Sequence, residues 1–184
     1  RVERLLELCH YVGIKIHPSF HGLYADDDAY EPAWCVAQER GVPILTHSYD
    51  RSAATPSQKL SWVPLFVKWL EAFPDVDLIL GHSGGLPTGH RESVQLARSF
   101  TNVWLDTAGD PVAYGFLEYV VGEVGSGRLL YGSDLTWIDS RAHLARIFGS
   151  RIGVTDKQNI LGGNARQLFR LDDVSSCDEG GVKR

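Results

Sequence analysis

Five short apolar runs punctuate this chain, and each stops at a polar residue capable of chemistry. They are Gly13-Ile14-Lys15-Ile16-His17, Pro43-Ile44-Leu45-Thr46-His47, Leu78-Ile79-Leu80-Gly81-His82, Asn102-Val103-Trp104-Leu105-Asp106 and Leu129-Leu130-Tyr131-Gly132-Ser133-Asp134. Runs this short, bounded by turn residues, predict buried strands rather than helices. Between them lie stretches with helical spacing of apolar residues: 2–12, the segment up to Arg40, 57–73, 90–100, 111–123, a segment through Phe148, 155–160 and 165–171. Pro32 suits the first turn of its helix and Gly41 its stop. One of Asp26, Asp27 and Asp28 is expected to cap that helix, after a polar loop opened by Pro18. Pro64 predicts a kink or split within 57–73. Gly162-Gly163 predict a break, with Asn164 capping the last helix.

The strand-like runs recur at roughly thirty residues, the length of one βα unit. Strand and helix in alternation specify a parallel sheet with helical cover. In such sheets ligands sit at the carboxyl ends of the strands, where these polar residues fall. Alternation places Lys15 and His17 on one face and Ile14 and Ile16 on the other. Five units do not close an eight-stranded barrel. A smaller doubly wound sheet is the alternative, but no glycine-rich phosphate loop follows the first strand. A barrel better explains polar residues converging at one mouth.

Composition narrows the picture. A chain of 184 residues suffices for one domain with a sizeable core. That domain is assigned to 1–171; the segment 172–184 lacks apolar periodicity and is expected to be disordered. The net charge of -5, with dispersed acids, argues against nucleic acid as a partner. No apolar run approaches the roughly 20 residues of a membrane span. Cys9, Cys35 and Cys177 fit neither a zinc spacing nor a disulfide framework, so a cytoplasmic setting is the expectation. The sequence has no methionine and opens inside a helical pattern. It therefore reads as the C-terminal part of a longer protein. Such a part would expose strand edges and apolar surface, which favours a homo-oligomer.

Histidines and an aspartate at one barrel mouth can hold a divalent metal, most naturally zinc. A bound metal makes its water acidic and polarises a carbonyl, and a nearby carboxylate or imidazole moves the proton. The runs Gly-Ile-Lys-Ile-His-Pro, Pro-Ile-Leu-Thr-His, Leu-Gly-His-Ser-Gly-Gly and Tyr-Gly-Ser-Asp, with the closing Leu-Gly-Gly-Asn-Ala-Arg-Gln-Leu-Phe, resemble the amidohydrolase superfamily. The nearest branch is the amidohydrolase-related one, which includes decarboxylases acting on aminocarboxymuconate semialdehyde. The resemblance runs from about Gly13 to Leu171 and implies a distorted (β/α)8 barrel, of which this chain supplies strands four to eight. It implies His47 as a metal ligand, His82 as a contact to the metal-bound water or substrate, and Asp134 as both ligand and proton acceptor. Lys15, His17 and Asp106 are assigned to the substrate. The family's His-x-His pair, on its first strand, has no counterpart in this sequence.

The implied function is a metal-dependent hydrolase of a small organic substrate, attacking a carbon–oxygen or carbon–nitrogen bond. The alternatives are a metal-dependent, non-oxidative decarboxylase using the same site, and a non-catalytic barrel remnant. Plainer roles are also open: a strand-end hydrogen bond for His47, a helix cap for Asp134, an ion pair for Lys15.

Overall fold

The computed structural model describes residues 2–6, 11–109 and 113–171. The predicted tail 172–184, Cys9 and Pro111 lie outside the described residues. All five runs form strands of one parallel sheet in sequence order: β1 (Ile14–Ile16), β2 (Ile44–His47), β3 (Leu78–Gly81), β4 (Val103–Asp106) and β5 (Leu129–Leu130). Parallel strands need crossover connections, and helices supply them. In chain order the helices are α1 (Val2–Leu6), α2 (Pro18–His21), α3 (Glu31–Arg40), α4 (Val67–Ala72), α5 (Pro87–Ser99), α6 (Phe116–Val124), α7 (Ser140–Gly149), α8 (Val154–Gln158) and α9 (Asn164–Leu168).

Register divides the sheet into two chemically different faces. Ile14, Ile44, Leu78 and Val103 lie level with one another, as do Ile16, Thr46, Leu80 and Leu105. These residues face the helices and pack with Trp34, Phe66, Leu70, Val94, Val120 and Ile147. Each fully buried aliphatic or aromatic side chain here contributes roughly 1.5–3 kcal/mol. The opposite face carries Lys15, Leu45, Ile79 and Trp104 on one level and His47, Gly81 and Asp106 on the next. Ile79, Trp104 and Leu130 pack there against Leu168 and Phe169 of the C-terminal segment. The inner face therefore turns polar at His47 and Asp106, the last residues of β2 and β4, while Leu130, level with Asp106, stays apolar.

Several local expectations hold. Asp27 caps the 3-10 turn Asp28–Tyr30 that leads into α3 rather than α3 itself, by accepting the Ala29 N–H, and Gly41 takes the left-handed conformation (φ 61°) that ends the helix. The segment around Pro64 splits into two 3-10 turns, Pro56–Ser61 and Val63–Phe66, followed by α4.

Others are corrected. Pro18 opens helix α2 instead of a loop, because its fixed φ and missing N–H suit a first turn. For the same reason α5 begins at Pro87 rather than at residue 90. The last strand spans only Leu129–Leu130, since the Tyr131 N–H turns to Ile160 O. Asn164 does not cap. It is buried, and its amide donates to Ser126 O and Leu129 O at 2.7 and 2.8 Å, clamping the start of β5. The helix predicted over 111–123 begins, among the described residues, at Phe116.

Candidate active site at the strand ends

A cavity of about 340 Å³ opens at the carboxyl ends of the strands. Lys15, His17, His47, His82 and Asp134 line it, together with Tyr49, Gln58, Gly109 and Trp137. Five of the six residues singled out from sequence thus meet at one opening. Asp106 stands behind the wall.

The histidines are held by packing. His17 and His47 stack with ring centroids 4.1 Å apart and planes 9° from parallel. Tyr49 continues the stack at 5.6 Å from His47, and His82 meets His47 edge-on at 4.7 Å. His17 Nδ1 accepts the Phe20 N–H at 3.2 Å and so caps α2. His47 Nε2 lies 2.7 Å from Gln58 Oε1. Burial pushes the His47 pKa down to about 3, against the Gln58 hydrogen bond, with His82, His17 and Lys15 lowering it further. Burial, then the Lys15 charge, lowers that of His17. Both rings are therefore neutral at pH 7 and present a lone pair as well as an N–H.

Lys15 stands on the inner face under Gly81. A Cβ at Gly81 would lie 2.6 Å from Thr46 O and 3.5 Å from Lys15 Nζ, so the glycine makes the room. Burial lowers the Lys15 pKa from its ordinary value, opposed by the charges of Asp106 and Asp134. Asp106 is buried. Its Oδ1 accepts the N–H groups of His82 and Ala108 at 2.7 and 3.1 Å. Burial raises its pKa, opposed by His82 and Lys15. Its carboxylate therefore shapes the His82 loop from behind.

That loop is strained. His82 (φ 66°), Ser83 (φ 44°) and, at the end of the β5 segment, Asp134 (φ 58°) occupy the left-handed region. Such residues cost on the order of 1–3 kcal/mol each and concentrate at functional sites. The compensating bonds are local and buried: Ser83 Oγ donates to Asp106 O at 2.6 Å and accepts the Asp106 N–H at 3.1 Å. Ser48 Oγ donates to Gly81 O and accepts the Gly84 N–H. Gly109 is also required, because a Cβ there would sit 2.5 Å from His82 Nδ1. That Nδ1 is buried without a hydrogen-bond partner.

Asp134 differs from the histidines in being exposed, and Trp137 beside it is 91% exposed. Asp134 does not cap the next helix; Asp139 does, accepting the Arg141 N–H. Tyr49, Gln58, Gly109 and Trp137 were not singled out from sequence. The available signal was position, since each belongs to a segment that directly follows a strand.

Among the described residues no group of three or more His, Cys, Asp or Glu side chains could hold a metal ion. The donor chemistry is suitable, with neutral imidazoles beside a carboxylate, but the described set does not by itself compose a metal centre.

Comparison with known proteins places this architecture. The sequence model of the family described as Amidohydrolase matches residues 1–171. No protein of curated function matches the sequence. Solved structures do match in fold. 5-Carboxyvanillate decarboxylase from Sphingomonas paucimobilis is 18% identical with a TM-score of 0.70, over 92% of this chain and 61% of that one. A dihydroxybenzoic acid decarboxylase from Polaromonas sp. JS666, with bound manganese and the inhibitor 2-nitroresorcinol, is 21% identical with a TM-score of 0.69, over 92% and 65%. An uncharacterised TIM-barrel protein from Bordetella bronchiseptica is 18% identical with a TM-score of 0.75, over 95% and 61%. The chain thus spans about three fifths of the length of these barrels, and its five strands form part of the TIM-barrel fold. Among the described residues no helix is long and apolar enough to cross a membrane.

Proposed function

The chain belongs to the amidohydrolase family, and from that membership we propose that it builds one side of an enzyme site for a small organic acid, whose reaction is non-oxidative decarboxylation. The observation that carries this reading is the cavity at the strand ends, lined by one ammonium, three imidazoles and a rim carboxylate. Lys15 suits the substrate's carboxylate, as a partly desolvated cation at the floor of the opening. When the carbon–carbon bond breaks and carbon dioxide leaves, the bonding pair stays on carbon and takes a proton. His82 is the imidazole proposed to deliver it, because the residue lines the cavity and Asp106 fixes its backbone. His17 and Tyr49 provide further polar contacts.

Two solved decarboxylases with this fold support the reaction class, and one of them binds manganese. For the present chain we propose a single divalent cation, zinc on the sequence expectation, with His47 and Asp134 as two of its donors. Two donors do not make a centre, so further ligands must come from outside the described set.

The hydrolytic reading uses the same residues, with Asp134 accepting a proton from water. A panel of hydroxylated aromatic acids, lactones and amides separates the two, assayed in heavy-oxygen water with zinc or manganese added. Carbon dioxide release without heavy oxygen in the product supports decarboxylation. Incorporated heavy oxygen supports hydrolysis and overturns it. Turnover of no class, with the protein folded and metal supplied, points instead to a non-catalytic barrel.

A further inference from the structure

Gln58 lies eleven residues after His47, yet its side chain returns to that ring. Its Oε1 is 2.7 Å from His47 Nε2 and 3.3 Å from Ser19 Oγ, which donates to it. Ser19 is fixed in turn by Ser61. The Ser19 N–H donates to Ser61 Oγ at 3.1 Å, and the two hydroxyl oxygens are 2.7 Å apart. Ser61 is buried and ends the same 3-10 turn, Pro56–Ser61, that carries Gln58. The amide is therefore held from both sides, by the segment after β1 and by its own turn.

A carbonyl oxygen only accepts. With Oε1 accepting, a neutral His47 carries its proton on Nε2 and keeps its lone pair on Nδ1. We propose that Gln58 is a positioning residue that fixes the tautomer of His47, so that whatever this imidazole accepts is met at Nδ1. A histidine that serves as a ligand or base commonly has its other ring nitrogen tied in this way, and the tie sets both tautomer and ring orientation. The stacked neighbour is set likewise: His17 Nδ1 accepts the Phe20 N–H, which leaves the proton of the neutral ring on Nε2. The two rings at 4.1 Å thus present matched tautomers.

This inference rests on the reading of His47 as a site residue, but its test needs neither metal nor substrate. Nitrogen-15 and carbon-13 NMR of the imidazoles, on the protein at neutral pH, reads the protonated nitrogen directly. The expected result is a single Nε2–H form of His47. In Gln58→Leu both tautomers should appear, while Gln58→Glu, which keeps an acceptor, should retain the wild-type form. A proton on Nδ1 in the wild type overturns the proposal without recourse to any variant. So does a folded Gln58→Leu protein whose His47 keeps the Nε2–H form. A fixed tautomer in a protein that turns over no substrate sinks the enzymatic reading alone; turnover with the proton on Nδ1 sinks this one alone.

Discussion

The ends of β1, β2 and β3 and the end of β5 meet at one cavity but are built differently. On the first side four rings, those of His17, His47, Tyr49 and His82, pack against one another. Gln58 ties His47 and Asp106 ties His82, while Ser48 holds the Gly81 and Gly84 backbone on either side of His82. On the other side a two-residue strand runs into an open turn. There Asp134 O accepts the N–H groups of Trp137 and Ile138, while Leu135 is 70% and Trp137 91% exposed. The imidazole side is rigid because its groups are desolvated and mutually bonded, so movement of one leaves another unpaired. The carboxylate side is a rim whose side chains meet water, where such losses are small.

That contrast predicts a graded response to substitution. The largest effect belongs to Gly89→Ala. A Cβ there would stand 1.9 Å from Gly84 O, and the Gly89 N–H donates to buried Asp50 at 3.0 Å. The loop carrying His82 would have to move, and we expect a loss of about 3 kcal/mol or more in urea unfolding. Wild-type stability in this variant would break the claim that the His82 side is tightly built.

The next effect is on pH dependence. His90 is buried against Phe116, and burial, then Arg146, pushes its pKa down to about 4 from an ordinary 6.5. Its folded form is neutral while the unfolded chain takes up a proton below 6.5. Its contribution is therefore complete above pH 6.5 and is lost as pH falls towards about 4. His47 acts in the same direction, down to about 3. Replacing His90 with Leu should flatten the acid-side slope of unfolding free energy by up to about 1.4 kcal/mol per pH unit. An unaltered slope would mean that this histidine is not held neutral.

The smallest effect is expected at the rim. Trp137→Ala should change stability by no more than about 0.5 kcal/mol, because its ring is in water. A larger loss by the same unfolding measurement would show the rim to be as closely packed as the imidazole side, and the contrast would fail.

Local pattern in the sequence was enough for the five strands, their common direction and the positions of His17, His47, His82 and Asp134 at or just beyond strand ends. A two-residue period and a thirty-residue repeat are properties of neighbouring residues, so they survive without knowledge of the fold. The departures lie where a residue's partner is remote in the chain. Asp106, placed at the substrate from sequence, spends its carboxylate on the N–H of His82, 24 residues away. Asn164, expected as a cap, reaches back 35 residues to Leu129. Gln58 carried only the signal of its position after a strand, since its importance depends on Ser19, 39 residues before it. The sequence by itself determined that Lys15, His17, His47, His82 and Asp134 arrive at the opening. Only the tertiary structure decided which of them face it and which are consumed behind it, because a polar group becomes committed only when burial removes water and leaves one partner within reach.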